Sequence, residues 1–145
     1  MADRELASWG RRLAALLVDV VVLGLVIGVA LFAAGIPADE LRERLRDGET
    51  LLVVLLFLIP EAIYHTALIG SRSQTFGKMA LGIRVVDAES SSPIGYVRAF
   101  RRWVSTAALR ALFTVPTILD HLWPLRDKRN QTLHDKFARS VVVRT

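Results

Sequence analysis

Two carboxylates and an imidazole stand where charge is costly. Asp19 interrupts the apolar run Leu13–Ala34, and Glu61 and His65 interrupt the run Thr50–Gly70. A charged side chain at the centre of a membrane helix costs about 2.5–3.5 kcal/mol on insertion scales, so such residues normally face a partner or a water-filled cavity. Glu61 and His65 are four positions apart and share a helix face. At the helical rise per residue, Glu61 lies about 13 Å and His65 about 8 Å from the Gly70 end of their run, and Asp19 lies about 10 Å from Arg12. Packed as antiparallel helices, the two runs bring all three groups into one layer. Two carboxylates in an apolar layer resist joint ionisation, and with an imidazole beside them they form a candidate proton or cation site. The competing readings are structural: Asp19 as a polar clamp that orients helices, and Glu61 in a buried ion pair with Arg110. Asp19 leans toward Arg12 along the helix, but Arg12 leans away, so water or a third residue is needed to bridge them.

Other residue patterns carry weaker chemistry. Gly24 and Gly28 form a GxxxG on the first run, which lets a helix backbone approach closely. It would serve contact with the second helix or with a second copy of the chain. Gly77-Lys78 lacks the upstream glycine of a phosphate loop, so Lys78 reads as a lipid-interface anchor. Arg98, Arg101 and Arg102 lie at helical spacing before Trp103, where they would anchor at the interface and attract anionic lipid head groups. His134-Asp135 has no nucleophile placed with it, and one dipeptide does not make a triad. Asp135 is instead expected to pair with Arg12 or Arg84. There is no HExxH and no cluster with metal-ligand spacing, so neither a metal, a cofactor nor an enzyme activity is expected. The absence of cysteine removes disulfides and thiolate chemistry.

These residues need elements to position them. Of the 145 residues, 52% are hydrophobic, and the excess is gathered in blocks. The mean hydropathy is +0.39, the net charge +5 and the isoelectric point about 10.4. Residues 12–34 are expected to form a first spanning helix, ended by Gly35-Ile36-Pro37. At 1.5 Å per residue the run covers about 33 Å, enough for a bilayer core of about 30 Å. It exceeds the apolar core of a signal peptide, so it is expected to be retained. Residues 35–49 form a polar outside loop with one or two helical turns. Residues 50–70 form the second helix, kinked at Pro60. Residues 71–102 are a basic segment with a strand at Ile83–Val86, and Glu89-Ser90-Ser91-Ser92-Pro93 as a turn. Residues 103–125 are a third apolar helical segment broken at Pro116, and 126–145 a basic tail with a strand at Val141–Val143.

Positive-inside counting places the N-terminus, with Arg4, Arg11 and Arg12, and the segment 71–102 in the cytoplasm, and the loop 35–49 outside. The basic tail also belongs inside. Either the third segment enters and returns, or it crosses and the charge rule fails there. The first arrangement keeps both β-branched strands on one side, where they can pair. Topology accounts for the positive charge, so nucleic acid is not an expected partner.

Three blocks resemble a known family. They are Arg12-Leu13-Ala14-Ala15-Leu16-Leu17-Val18-Asp19, the stretch from Thr75-Phe76-Gly77-Lys78-Met79 to Asp87, and Thr132-Leu133-His134-Asp135 through Val143. In order, with two apolar helices, they resemble the RDD family of bacterial membrane proteins, named for one arginine and two aspartates. The resemblance implies that the arginine is Arg12, the first aspartate Asp19 and the second Asp135, with Asp127 as the alternative. Two departures stand out: Phe76 where the family has proline, and Arg139-Ser140 where it has Gly-Thr. The family has no settled general activity, although a transport role has been proposed. The expected protein is an all-α, multi-pass protein of the cell's inner membrane with a small cytoplasmic strand pair. It is read as a component of ion or small-solute transport, or as a non-catalytic assembly or accessory protein. Two helices cannot enclose a pathway, so transport implies a homo-oligomer or a larger membrane partner.

Overall fold

The structure, a computed structural model, describes residues 5–112 and 114–145. Arg4, counted above among the N-terminal charges, and Phe113 of the third segment lie outside the described residues. The elements in chain order are α1 (Trp9–Ala33), α2 (Ala38–Arg46), α3 (Thr50–Arg72), α4 (Phe76–Ala80), β1 (Ile83–Asp87), α5 (Gly95–Ala111), α6 (Thr114–Leu122), a 3-10 turn (Trp123–Leu125), α7 (Leu133–Phe137) and β2 (Ser140–Arg144).

The two long helices follow from their apolar runs and their ends. Ser8 caps α1 by accepting the Arg11 N–H, and Gly35, at φ +68°, turns the chain out of it. The short α2 has Asp39 and Glu40 in its first turn and Arg44 and Arg46 in its last, the arrangement the helix dipole favours. α3 is helical throughout, with Pro60 inside it. Both α1 and α3 are long and apolar enough to cross a membrane, and only 11% of each apolar window is buried. The core helix of a water-soluble protein would be mostly buried. Here Val21, Leu25, Val29 and Phe32 of α1, and Leu51, Leu52 and Ile63 of α3, stand exposed. Contiguous apolar surface on this scale marks a face for lipid or for another protein.

The buried core sits at one end of this hairpin. Ala7, Ala15, Ile69, Ile83, Val85, Ile94, Ala99 and Val142 form one cluster, bringing together the start of α1, the end of α3, the sheet and α5. β1 and β2 pair antiparallel, with Val85 opposite Val142 and Asp87 opposite Ser140. The N-terminal segment adds to the edge of β2: the Ala7 N–H donates to the Val142 carbonyl and the Arg144 N–H to Glu5, each at 2.9 Å. β1 is tied to the end of α3 by its Val85 N–H, which donates to the Ser73 carbonyl at 2.7 Å.

The third segment differs from expectation at its start and in the position of its break. Its helix begins at Gly95, so the arginine stripe belongs to α5. α5 runs back along α3: Tyr96 lies against Gly70, and Arg110 pairs with Glu61 further along. α5 ends at Ala111 with Leu112 as its cap, α6 begins at Thr114, and Pro116 lies in the first turn of α6. A proline there has no N–H for the Leu112 carbonyl and would clash with it, so one continuous helix is disfavoured a turn ahead of the proline. α6 then returns, and the Trp9 indole N–H donates to the His121 carbonyl at 2.8 Å. The segment therefore begins and ends at the strand-bearing end of the hairpin.

Candidate functional site

Asp19 and Asp135 each close a short helix onto the long ones. In the Thr75–Ala80 stretch, Thr75 is extended, and its hydroxyl accepts the Lys78 N–H at 3.4 Å, capping α4. The capped turn presents the Gly77 N–H to Asp19 Oδ1 at 2.7 Å. The Thr75 hydroxyl donates to Asp19 Oδ2 at 2.6 Å, and the Tyr64 hydroxyl of α3 donates to Oδ1 at 2.7 Å. Lys78 Nζ lies 3.8 Å from Oδ2. Asp19 is 1% exposed. A Cβ at position 77 would lie 2.1 Å from the Ala15 carbonyl oxygen, so only glycine lets α4 seat against α1. One carboxylate thus joins α1, α3 and α4. Arg12 is not its partner.

Arg12 reaches Asp135 instead. Thr132 and Asp135 form a capping box on α7: the Asp135 N–H donates to the Thr132 hydroxyl, and the Thr132 N–H donates to the Asp135 carboxylate, both at 3.1 Å. Arg12 Nη1 donates to Asp135 Oδ2 at 2.6 Å, while Arg102 of α5 pairs with Oδ1. Arg102 also donates to the Ser140 hydroxyl at 3.0 Å and contacts His134 Nε2 at 3.1 Å. A guanidinium only donates, so Nε2 must accept and Nδ1 must carry the proton. That Nδ1–H donates to Asp120 Oδ2 at 2.6 Å, and the His134 backbone N–H donates to Oδ1 at 3.1 Å. Asp135, Arg102 and Asp120 are all buried. Burial works to raise the Asp135 carboxyl, but the guanidinium charges of Arg102 and Arg12, with the Thr132 N–H, overcome it and hold the group well below the usual carboxylate range. Burial, and then the Arg102 cation, push the His134 imidazole down, which agrees with its neutral tautomer.

The other residues singled out from the sequence fall as follows. Asp127 caps a turn, accepting the Arg129 and Gln131 N–H groups and pairing with Lys136. It is Asp135 that meets Arg12. Glu61 pairs with Arg110. His65 packs edge-on against Tyr64, with ring centroids 5.2 Å apart. Asp19, Glu61 and His65 do border one groove on the flank of the hairpin, together with Gly24 and Arg110, but the donors from Tyr64, Thr75 and Gly77 occupy the Asp19 carboxylate. Cβ atoms at Gly24 and Gly28 would meet nothing within 4 Å, so this pair makes no close contact with the second helix.

Lys78 is a correction. Its side chain is only 14% exposed and turns inward toward Asp19, so it is not an interface anchor. The α4 cap aims it there. Arg102 is likewise drawn inward by Asp135. Arg98 pairs with Asp87 and donates to the Ala138 and Arg139 carbonyls, stitching α5 to the sheet. Arg101 is exposed, with a long bond to the Phe137 carbonyl at 3.5 Å. Arg84, the other expected partner of Asp135, is not among its contacts. Among the described residues no group of three His, Asp or Glu side chains is placed to hold a metal ion.

The sequence reading missed Tyr64, Thr75, Gly77, Asp120 and His134 as members of these networks. Thr132-x-x-Asp135 carries a capping-box signal that points to α7. Asp120, a carboxylate inside the apolar segment 103–125, carries the same signal as Asp19, whereas nothing comparable marks Tyr64. No curated protein and no solved structure matches the chain. A family model does: the RDD family matches residues 6–139, nearly the whole length, and the chain belongs to that family.

Proposed function

We propose that this is a multi-pass inner-membrane protein with its N-terminus, sheet and tail in the cytoplasm, and that it acts as a non-catalytic assembly or accessory component. The observation that carries this reading is the state of Asp19. Its two oxygens take three strong hydrogen bonds from Tyr64, Thr75 and Gly77, with Lys78 alongside. A carboxylate engaged in this way holds helices together and is poorly suited to exchanging a travelling ion. Asp135 is engaged in the same manner by Arg12, Arg102 and Thr132. The signature residues are then the latches of a rigid end. The long apolar flanks of α1 and α3 are left to meet lipid, further copies of the chain or a larger membrane partner.

Transport remains the second reading, and one observation favours it. Glu61, Arg110 and His65 border the open groove beside α1. In this version Glu61 takes the place of Asp19 as the exchanging carboxylate, with Arg110 as its resting partner, in a homo-oligomer or with a larger partner.

Proton-coupled cation flux in proteoliposomes separates the two readings. The accessory reading expects no flux from the native chain across several cations and both pH gradients. Flux that Glu61→Gln abolishes at equal reconstitution would overturn it in favour of transport.

A further inference from the structure

Beside the Asp135 network lies a cavity of about 90 Å³, which has room for several waters. Its polar wall is made of Arg12, Lys78, Arg102, His121, Thr132 and His134, and its apolar wall includes Trp9, Leu13, Leu16 and Pro124. Among the described residues no carboxylate lines it. Asp19, Asp120 and Asp135 lie behind the cations and orient them. Of these cations Lys78 has the weakest set of partners. An ammonium has three N–H donors. The Lys78 ammonium makes one long bond, at 3.4 Å, to a Thr75 hydroxyl that is already capping α4 and donating to Asp19. Its approach to Asp19 is 3.8 Å, beyond hydrogen-bond reach. Lys78 lines this cavity and also an adjoining one bordered by Glu61, His65 and Arg110. Burying donors without acceptors is costly, and an acceptor-rich anion removes that cost.

We propose that this cavity binds a phosphate-type oxyanion, held by the Lys78 ammonium with Arg12 and Arg102 beside it. Tetrahedral oxyanions carry several acceptors and suit converging ammonium and guanidinium donors. The same chemistry is offered by free phosphate and by the phosphate of a lipid head group, and the apolar wall accommodates the latter. This assignment does not depend on whether the chain serves assembly or transport.

The test uses the full chain purified in a non-ionic detergent. Saturable binding is followed by calorimetry for two probes, inorganic phosphate and a short-chain phosphatidic acid, with short-chain phosphatidylcholine as the control. At least one phosphate probe should bind to saturation. Binding of inorganic phosphate indicates a soluble anion, and binding of phosphatidic acid alone indicates a head-group site. Lys78→Gln should weaken binding at least tenfold, and Leu13→Phe, which fills the cavity while leaving the ion pairs in place, should abolish it. Arg101→Gln, outside the cavity, should bind as the native chain does. If Lys78→Gln does not fold, Leu13→Phe decides. Absence of saturable binding by both probes, or native affinity in Leu13→Phe, overturns the proposal.

Discussion

Gly77 lies so close to Ala15 that a single added carbon would sit 2.1 Å from the Ala15 carbonyl oxygen and 2.9 Å from Asp19 Oδ1. The contact is backbone against backbone, so no side-chain rotation relieves it. Gly77→Ala must therefore push α4 off α1 and lengthen or break the bonds that Asp19 receives from Gly77 and Thr75. A destabilisation of about 3 kcal/mol is expected, in the range for breaking a buried charged network. Thermal unfolding in detergent, compared with Gly10→Ala, where a Cβ meets nothing, measures it.

Asp135→Asn leaves the buried Arg102 and the half-buried Arg12 guanidiniums facing a neutral amide. Removing one partner from a buried ion pair costs about 3–5 kcal/mol, because the remaining charge keeps its desolvation without compensation. The capping box would weaken as well, since its carboxylate accepts the Thr132 N–H. Asp127→Asn, at a surface turn, should cost less than about 1 kcal/mol. Parallel chemical-denaturation curves for the two variants provide the comparison; equal losses would contradict the assignment of Asp135 as the latch.

The same groups set a dependence on pH. The folded Asp135 carboxyl lies below its ordinary value of 3.8, so its contribution is fully present above that pH and is lost as pH falls through the folded value. Lys78 works in the opposite range. Burial, with the Arg102 cation, lowers it from 10.5 to about 8. Between those two values the unfolded chain binds more protons than the folded one, so stability rises with pH across that window. Melting temperatures taken from acid to alkaline pH should show both effects. Lys78→Gln should remove the alkaline rise and leave the acid loss in place.

Which parts could be read from the sequence follows from the range of the interactions. The two long helices announce themselves through unbroken apolar runs, and the strand pair through β-branched blocks, because each signal is local. Asp19 stands out because a carboxylate in such a run is costly. Its partners do not, because Tyr64 and Thr75 are respectively 45 and 56 residues away in sequence and look ordinary where they stand. From sequence Arg102 looks like a surface cation, because nothing local reveals a carboxylate 33 positions later. The two departures from the family pattern differ in their consequences. Phe76 supplies an N–H to the Tyr64 hydroxyl at 3.2 Å, which proline would lack. Arg139, where the family has glycine, adopts φ 48°, the left-handed region that side chains resist. Its carbonyl accepts the Ala88 N–H and an Arg98 donor, while its side chain is exposed. Arg139→Gly is thus expected to stabilise the chain by about 1 kcal/mol, the cost of a strained left-handed residue. A lower melting temperature for the variant would show that the side chain does something the backbone geometry does not require.

The hairpin path of α5 and α6 puts the tail at the same end as the start of α1, with Arg144 pairing to Glu5 beside the sheet. Combined with the basic residues gathered at that end, this predicts a cytoplasmic C-terminus. The chain has no cysteine, so a single one can be introduced without background. Thr145→Cys should resist an impermeant thiol reagent in intact cells and react once the membrane is opened. A second site in the opposite loop, Asp47→Cys on the exposed end of α2, should label in intact cells. Both sites reacting from outside would mean that the third segment crosses after all and that the α5–α6 hairpin does not persist in the bilayer. The reverse pattern, with position 145 labelled and position 47 protected, would invert the whole hairpin and make the charge rule fail for every loop at once.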